Sequence, residues 1–277
     1  MVTIPAEVLR DVIELSAYSS YRQAATLARV CQAFSEWVRP VLFRVFKWYS
    51  YHNNFPQPSP LDVAWFQANG KYIRHMLWGQ DLDLLVDCLE LCPNIVDLAI
   101  WVDTDTNNIA PLFPAFSKLR LHRLSIRLPA LYPSEEFTVE HAQQPVFSHL
   151  THLDVVHSTA AWNEIAGIAK LPSLTHLALS DRIAINVVET AVKNCKNLQV
   201  VVLASLCMSV DAYNEDLTGE STIEAPWNSY GFDDPRVVAF ECEFVGDWEL
   251  AATGKRDMWA KAEEIVASRT RPILMGH

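Results

Sequence analysis

The sequence of 277 residues has little glycine and a deficit of basic residues. Only eight glycines occur, and no two lie closer than eight positions. This spacing excludes a glycine-rich loop that wraps phosphate groups, and Gly254-Lys255 lacks the first glycine and the Ser/Thr of such a loop. Lys and Arg number 22 against 33 Asp and Glu, a net charge of −11. An acidic chain lacks the basic face that phosphate backbones need, which argues against nucleic acid as the main partner.

Other absences concern targeting and redox chemistry. The longest uncharged apolar stretch, Asn197–Val210, has fourteen residues and includes polar ones, too few to span a bilayer. Glu7, Arg10 and Asp11 interrupt the N-terminus, so it has no signal core. Six cysteines in this length do not form a disulfide scaffold and predict reduced, mostly buried thiols. We expect a cytoplasmic and/or nuclear protein with no membrane partner.

Signatures of catalysis are absent as well. The sequence contains no Gly-x-Ser-x-Gly and no His-Glu-x-x-His motif. We therefore expect no enzyme, no metal and no cofactor. A hydrolase on an α/β fold stays a weaker alternative, which requires a deep pocket with a perturbed titratable group.

The first 48 residues differ from the rest in charge and pattern. They carry a net charge of +2, which leaves −13 for the remainder. Pro5 suits the first turn of a helix, Ser20-x-x-Gln23 forms a capping box, and a third apolar period meets Pro40. Three short helices form a marginal domain, so we expect them to pack on a partner, on the rest of the chain, or on both.

Two stretches of this segment carry a resemblance. They are Ile4-Pro5-Ala6-Glu7-Val8-Leu9, followed by Ile13, and then LARVCQAFSEWVRPVLF. Together they resemble an F-box over roughly residues 3–47, with Phe34 where Trp is commoner and without the family's usual turn at Ala17–Tyr21. The resemblance implies docking on the Skp-type adaptor of a cullin–RING ubiquitin ligase. The implied adaptor-facing residues are Ile4, Pro5, Leu9, Ile13, Val30, Cys31, Phe34 and Trp37. A helical hairpin of a longer α domain is the alternative.

A second pattern, apolar-x-x-apolar-x-apolar, recurs seven times after turn residues. Its starts are 22, 26, 29, 24, 24 and 39 residues apart, mostly within the range of leucine-rich repeats. The instances are Ile73/Met76/Trp78, Ile95/Leu98/Ile100, Leu121/Leu124/Ile126, Leu150/Leu153/Val155, Leu174/Leu177/Leu179, Leu198/Val201/Leu203 and Val237/Phe240/Cys242. The pattern predicts an α/β solenoid with parallel strands and resembles degenerate leucine-rich repeats of fungal F-box proteins. An ordinary α/β domain with a parallel sheet is the rival interpretation.

The third and fifth columns of this pattern predict a concave face. The third column holds His75, Asp97, Arg123, His152, His176, Val200 and Ala239, and the fifth holds Leu77, Ala99, Ser125, Asp154, Ala178, Val202 and Glu241. Strands lie about 4.8 Å apart, so His152, Asp154 and His176 are expected to cluster. A metal site or acid–base pair is one interpretation, and a polar face for a protein substrate is the other. The residues assigned to that substrate face are His75, Asp97, Arg123, His152, Asp154 and His176.

These patterns divide the chain into four segments. An F-box-like helical module (1–47) precedes an aromatic and proline-rich linker (48–66), a solenoid (67–246) and a C-terminal helical cap with a tail (247–277). An acidic insertion at 205–235 either binds a basic partner, masks the concave face or is a solvated loop. The cap is expected to cover the final strand and to break near Gly254.

We therefore expect the substrate-recognition subunit of a Skp–cullin–F-box type ubiquitin ligase, with an unknown protein substrate. The alternative is a protein-binding scaffold with no ubiquitin role, whose N-terminal helices serve as a solenoid cap.

Overall fold

The computed structural model describes residues 4–49, 55, 63–80, 82–102, 112–126, 137–156, 167–180, 185–206 and 233–270. Parts of the predicted linker, most of the acidic insertion and the tail after residue 270 lie outside these ranges. The chain divides into two compact units, which we describe separately. The first comprises Met1–Thr106 and Pro111–Leu119, and the second comprises Asn107–Ala110 and Arg120–His277.

The fold is α/β, as the repeated pattern predicts. Eight described strands run parallel to their partners in order along the chain, β1 to β3 in the first unit and β4 to β8 in the second. They are β1 (Val45–Trp48), β2 (His75–Trp78), β3 (Asp97–Ile100), β4 (Arg123–Ile126), β5 (His152–Val155), β6 (His176–Ser180), β7 (Val200–Leu206) and β8 (Val237–Cys242).

Helices and 3₁₀ turns connect the strands. The described α-helices are α1 (Ala6–Tyr18), α2 (Tyr21–Ala28), α3 (Gln32–Leu42), α4 (Val63–Asn69), α5 (Asp83–Glu90), α6 (Phe113–Phe116), α7 (Val139–Ala142), α8 (Ile185–Asn194), α9 (Phe244–Ala252) and α10 (Met258–Thr270). Short 3₁₀ turns occupy Gly70–Tyr72, Pro145–Phe147 and Ile168–Lys170.

The three N-terminal helices form where the sequence predicts them. Pro5 immediately precedes α1, and the Ser20 hydroxyl accepts a hydrogen bond from the Gln23 amide at the start of α2. They enclose a small core of their own, made of Ile13, Ala17, Ala24, Val38, Val41 and Leu42. The chain then enters β1 directly, and that strand crosses the predicted module boundary at residue 47.

Side chains just before β3, β6 and β7 donate hydrogen bonds to the backbone of the preceding repeat. The Asn94 amide donates to the Lys71 carbonyl, Ser173 donates to Ser148, and Asn197 donates to Pro172. These bonds span 23 to 25 residues, close to the spacings of 22, 24 and 24 residues between the instances of the pattern that they connect. They satisfy backbone carbonyls that turns would otherwise leave without a protein partner.

The register of β8 differs from the prediction. Val237 is level with Val201, and Ala239 is level with Leu203, so the last instance of the pattern starts three residues earlier than expected. An odd shift turns every side chain to the opposite face of the sheet. Val238 is therefore level with Val202 in the fifth column, and Ala239 and Glu241 leave the predicted concave face.

Candidate functional site

Helix α1 is apolar on two sides. Ile13 and Ala17 are 8% and 1% exposed and belong to the core of the three helices. On the other side Val8, Val12 and Leu15 are 50%, 55% and 71% exposed. The spacings of four and three residues place these side chains in one row, which we call the α1 stripe (Val8, Val12 and Leu15). A solvated apolar row of this kind on a small helical module is a candidate interaction surface.

The predicted adaptor-facing residues fall into three classes of exposure. Ile4, Pro5, Val30 and Cys31 are exposed, with Ile4 at 58% and Val30 at 62%. Leu9, Phe34 and Trp37 are half-buried and pack against the module core, and the rings of Phe34 and Trp37 stack with centroids 5.5 Å apart. Ile13 lies in that core, where it supports the module from within rather than facing solvent.

Sequence reasoning did not identify the α1 stripe. The i, i+4, i+7 spacing of Val8, Val12 and Leu15 is visible in the sequence. Leu9, Val12 and Ile13 also follow an i, i+3, i+4 spacing, which predicts one short apolar row and obscures the second. Adjacent residues such as Val12 and Ile13 lie about 100° apart around a helix of 3.6 residues per turn, which separates the two rows on the helix surface.

In the first unit, two described residues of the predicted concave face are in polar contact. His75 on β2 is level with Asp97 on β3, and its Nδ1 lies 3.2 Å from an Asp97 carboxylate oxygen. Asp97 is 4% exposed, and Leu77 and Ala99 in the next column are fully buried. His75 and Asp97 are therefore brought together, and the next column includes the buried Lys47 of β1, which is level with Leu77.

In the second unit two histidines stack across neighbouring strands. The rings of His152 and His176 lie 4.2 Å apart and 7° from parallel. Each follows a threonine whose hydroxyl donates to the backbone of the preceding repeat, Thr151 to the His122 carbonyl and Thr175 to the Thr151 carbonyl. The repeated Thr-His pair thus fixes both rings at the same height, which is the clustering that the columns predict.

Asp154 shares this face but occupies the other column. Its carboxylate accepts a hydrogen bond of 2.6 Å from the Ser125 hydroxyl, and both side chains are buried. Among the described residues, no group of three or more His, Cys, Asp or Glu side chains is arranged to hold a metal ion.

Helix α10 covers the face formed by the third and fifth columns of β4–β8, which we call the ligand face. The Trp259 ring meets both histidine rings edge-on, at centroid distances of 5.2 and 5.6 Å. Met258, Trp259 and Ala262 also pack on Ala178, Val200, Val202 and Val238, the apolar part of the ligand face. The cap predicted over the final strand therefore extends across the sheet and covers most of this part of the predicted concave face, while Arg123 and His152 stay partly exposed.

Polar contacts accompany this packing. Arg123 Nη1 donates to Asp257 at 3.0 Å, and His176 Nε2 donates to Glu263 at 3.0 Å. The role of Arg123, His152, Asp154 and His176 in binding a substrate stays a prediction, and it requires α10 to move aside.

Burial under α10 keeps the histidines neutral. The pKa of His152 falls from 6.5 to about 2, first because burial disfavours its charged form and then because His176 and Arg123 add positive charge nearby. Burial likewise lowers the pKa of His176, although the Glu263 carboxylate opposes the change. Burial raises the pKa of Asp247 on α9, and the nearby Lys261 ammonium partly offsets that effect.

The described cysteines carry free thiols. Cys31 is exposed, whereas Cys88, Cys92, Cys195 and Cys242 are buried. Burial raises the pKa of Cys88 to about 12 and of Cys195 to about 11, and it raises those of Cys92 and Cys242 as well. The raised pKa values favour the protonated form of these four thiols at neutral pH, and a protonated thiol is a weak nucleophile.

Comparison with known proteins adds no relative. No helix among the described residues has the length and apolarity needed to cross a bilayer. No protein-family model, curated protein or solved structure matches this chain.

Proposed function

We propose that this chain is the substrate-recognition subunit of a Skp–cullin–F-box type ubiquitin ligase. In this proposal the three N-terminal helices dock the Skp-type adaptor, and leucine-rich-repeat-like units form a solenoid that binds a protein substrate. The chemistry of ubiquitin transfer belongs to partner proteins. The observation that carries the proposal is the exposed apolar surface of a helical module that already has its own core.

The distribution of apolar side chains supports docking of the module. Ile13, Ala17, Val38 and Val41 supply the core, so the exposed Ile4, Val30 and α1 stripe are not needed to fold the module. Apolar side chains left in water at a small module are the usual anchors of a helical interface. The F-box resemblance assigns Ile4 and Val30 to the adaptor side.

The repeat geometry supports the receptor part of the proposal. Parallel strands follow the chain order in each unit, and polar side chains before the strands bond to the preceding repeat. Each repeat then contacts mainly its neighbours, which is typical of a solenoid.

A second candidate is a protein-binding scaffold without a ubiquitin role, in which α1–α3 cap the solenoid. One observation favours it. Arg44, two residues after α3, accepts backbone hydrogen bonds from Arg74 and His75, and β1 pairs directly with β2. The helices thus continue into the first strand without a linker, as an integral cap does.

Co-purification with a Skp-type adaptor separates the two candidates. The test variant is Ile4→Asp combined with Val30→Asp, since both side chains are exposed and their loss leaves the module core intact. The matched control is Ala64→Asp combined with Ala68→Asp, two exposed positions on α4 outside the predicted adaptor site. We expect the intact chain and the control to retain the adaptor and the test variant to lose it, with unchanged circular dichroism. An intact chain that does not retain the adaptor would contradict the ligase proposal and leave the scaffold.

A further inference from the structure

Helix α10 matches the ligand face of the second unit in length. Its thirteen residues extend about 20 Å. Strands β4 to β8 are separated by four spacings, together about 19 Å. Contacts occur at both limits, because Asp257 just before the helix pairs with Arg123 on β4 and Arg269 near its end donates to the Val237 carbonyl on β8. The helix therefore crosses all five strands.

The chemistry of α10 changes along this path with that of the sheet. On β4 to β6, Arg123 and the histidine pair contact Asp257, Trp259 and Glu263 at the start of the helix. On β7 and β8, valines form one apolar cluster with Ala262, Ile265 and Val266 further along the helix. One carboxylate oxygen of Asp257 also caps the helix by accepting a hydrogen bond from the Ala260 amide. The same residue therefore stabilises the start of the helix and pairs with Arg123.

The polar half of the ligand face is costly to cover permanently. Parallel sheets buried on both faces usually carry aliphatic side chains on both. Here Arg123, His152 and His176 occupy such positions, and burial strips water from the two imidazoles. The Arg123–Asp257 ion pair is half-buried, with the Arg123 side chain 33% and the Asp257 side chain 6% exposed, and a pair of this kind adds little net stability compared with apolar packing of the same volume. These residues are therefore better explained by recognition than by the stability of the core.

The connection to α9 allows α10 to leave as a unit. Four residues, Thr253–Arg256, separate α9 from Asp257, and Gly254 among them has φ +73°. No atom lies within 4 Å of the position that a side chain at Gly254 would occupy. A short exposed connector with a left-handed glycine is suited to absorb a change of backbone angles. The contact between α9 and α10 is mediated in part by the Lys261–Asp247 pair at 3.3 Å.

We propose that the ligand face of β4–β8 is a helix-binding site, that α10 is its built-in occupant, and that a helix of a partner protein displaces α10. The partner helix carries the pattern that α10 presents: an acidic residue, an aromatic residue two positions later and a second acidic residue four positions after that. Asp257, Trp259 and Glu263 define this spacing. The aromatic ring enters against the histidine pair, and the carboxylates pair with Arg123 and His176. The proposal involves the second unit alone, so it holds for a ligase receptor and for a scaffold alike.

A peptide competition experiment on the full chain tests this proposal. The probe is a fluorescent peptide of residues 256–270, and the control peptide carries Asp257→Asn, Trp259→Ala and Glu263→Gln. Both are titrated into the intact chain and into chains with Trp259→Ala or Glu263→Gln. We expect the probe to bind the Trp259→Ala chain about tenfold more tightly than the intact chain, because the internal occupant no longer competes. The Glu263→Gln chain keeps its buried packing and is expected to fall between them. The control peptide should bind none of the chains.

Hydrogen exchange of the intact chain provides a second readout that needs no variant. Amides of α10 should exchange through an opening that leaves β5–β7 protected. The proposal is overturned if the Trp259→Ala chain keeps its native circular dichroism and binds neither peptide. It is also overturned if α10 amides exchange only when those strands do, which would make α10 an inseparable part of the core.

Discussion

The repeat spacing predicts that His152 and His176 are neighbours, but it does not predict that they are buried. Their column follows from the spacing of the Thr-His pairs, so the sequence alone predicts that the rings are neighbours. Their burial does not follow from spacing, because it depends on where α10 lies. The apolar residues of α10 predict a packed helix, but a helix can bury the same stripe against the final strand or against a whole face of the sheet.

The depressed pKa of His152 predicts a dependence of stability on pH. The folded protein keeps the ring neutral, whereas the unfolded chain protonates it near its usual pKa of 6.5. Below that pH the unfolded state binds more protons, so the free energy of unfolding should fall as the pH drops from 7.5 to 5.5, by at most about 1.4 kcal/mol per pH unit for this histidine. Urea unfolding at several pH values measures this slope.

The control for this dependence is His152→Gln, which removes the titrating ring and leaves the neighbouring titratable and charged groups of His122, Arg123, His176, Asp257 and Glu263 in place. The slope of the variant should be shallower than that of the intact chain. Equal slopes would contradict the assignment of the effect to His152. The range stops at pH 5.5 because protonation of Asp247, whose pKa is raised, stabilises the folded state at lower pH.

The exposure of the thiols predicts their reactivity. With Cys207→Ser as background, since Cys207 lies outside the described residues, a maleimide should label Cys31 alone in the folded chain and all five remaining cysteines in urea. The reason is that the buried thiols are both inaccessible and protonated. Intact-mass spectrometry counts the labels. A second label added to the folded chain as fast as the first would contradict the burial of these cysteines.

At the scale of elements, α1 has two apolar rows, and a pattern search that assumes one row per helix predicts only the first. The start of the helix and its inward residue Ile13 follow from sequence, but its second apolar row does not emerge when adjacent residues are assigned to one row. Strand β1 is not among the predicted strands. Phe43-x-x-Phe46-x-Trp48 matches the repeated pattern, yet the predicted boundary assigns Phe43 and Phe46 to the helical module and only Trp48 to the linker.

A charged substitution should lower the free energy of unfolding on one side of α1 and leave it nearly unchanged on the other. Ile13→Asp places a carboxylate in the module core and should lower the free energy of unfolding by about 3 kcal/mol or more. Val12→Asp changes an exposed side chain and should alter it by about 0.5 kcal/mol or less. Urea unfolding of both variants makes the comparison. Equal losses would show that the outer row is packed in the folded protein, in conflict with the α1 stripe.

The register of β8 is the feature of the sheet that the repeated pattern predicts wrongly. Asp234 and Arg236 form an ion pair directly before the strand, and the Arg236 guanidinium donates to the carbonyls of Leu198 and Val192. These charged side chains bond to backbone carbonyls of the preceding repeat, as Asn or Ser does in earlier repeats. Because the pattern requires an apolar residue at its first position, it matches Val237 instead of Asp234, three residues too late.

At the scale of the whole chain, the α/β class and the parallel order of strands follow from sequence because seven instances of one pattern support each other. The division into two units does not, since the boundary near residue 119 carries no break in the pattern. In our account the first unit offers an apolar surface to an adaptor, and the second holds a ligand face under α10. The two roles can be tested separately because they depend on different residues.

The most direct test of the account is calorimetric titration of a purified Skp-type adaptor into the purified intact chain at several temperatures. We predict saturable one-to-one binding with a negative change in heat capacity, because Ile4, Val30 and the α1 stripe lose their contact with water. An adaptor that is competent to bind a known F-box but gives no binding heat with this chain at any temperature would contradict the ligase account.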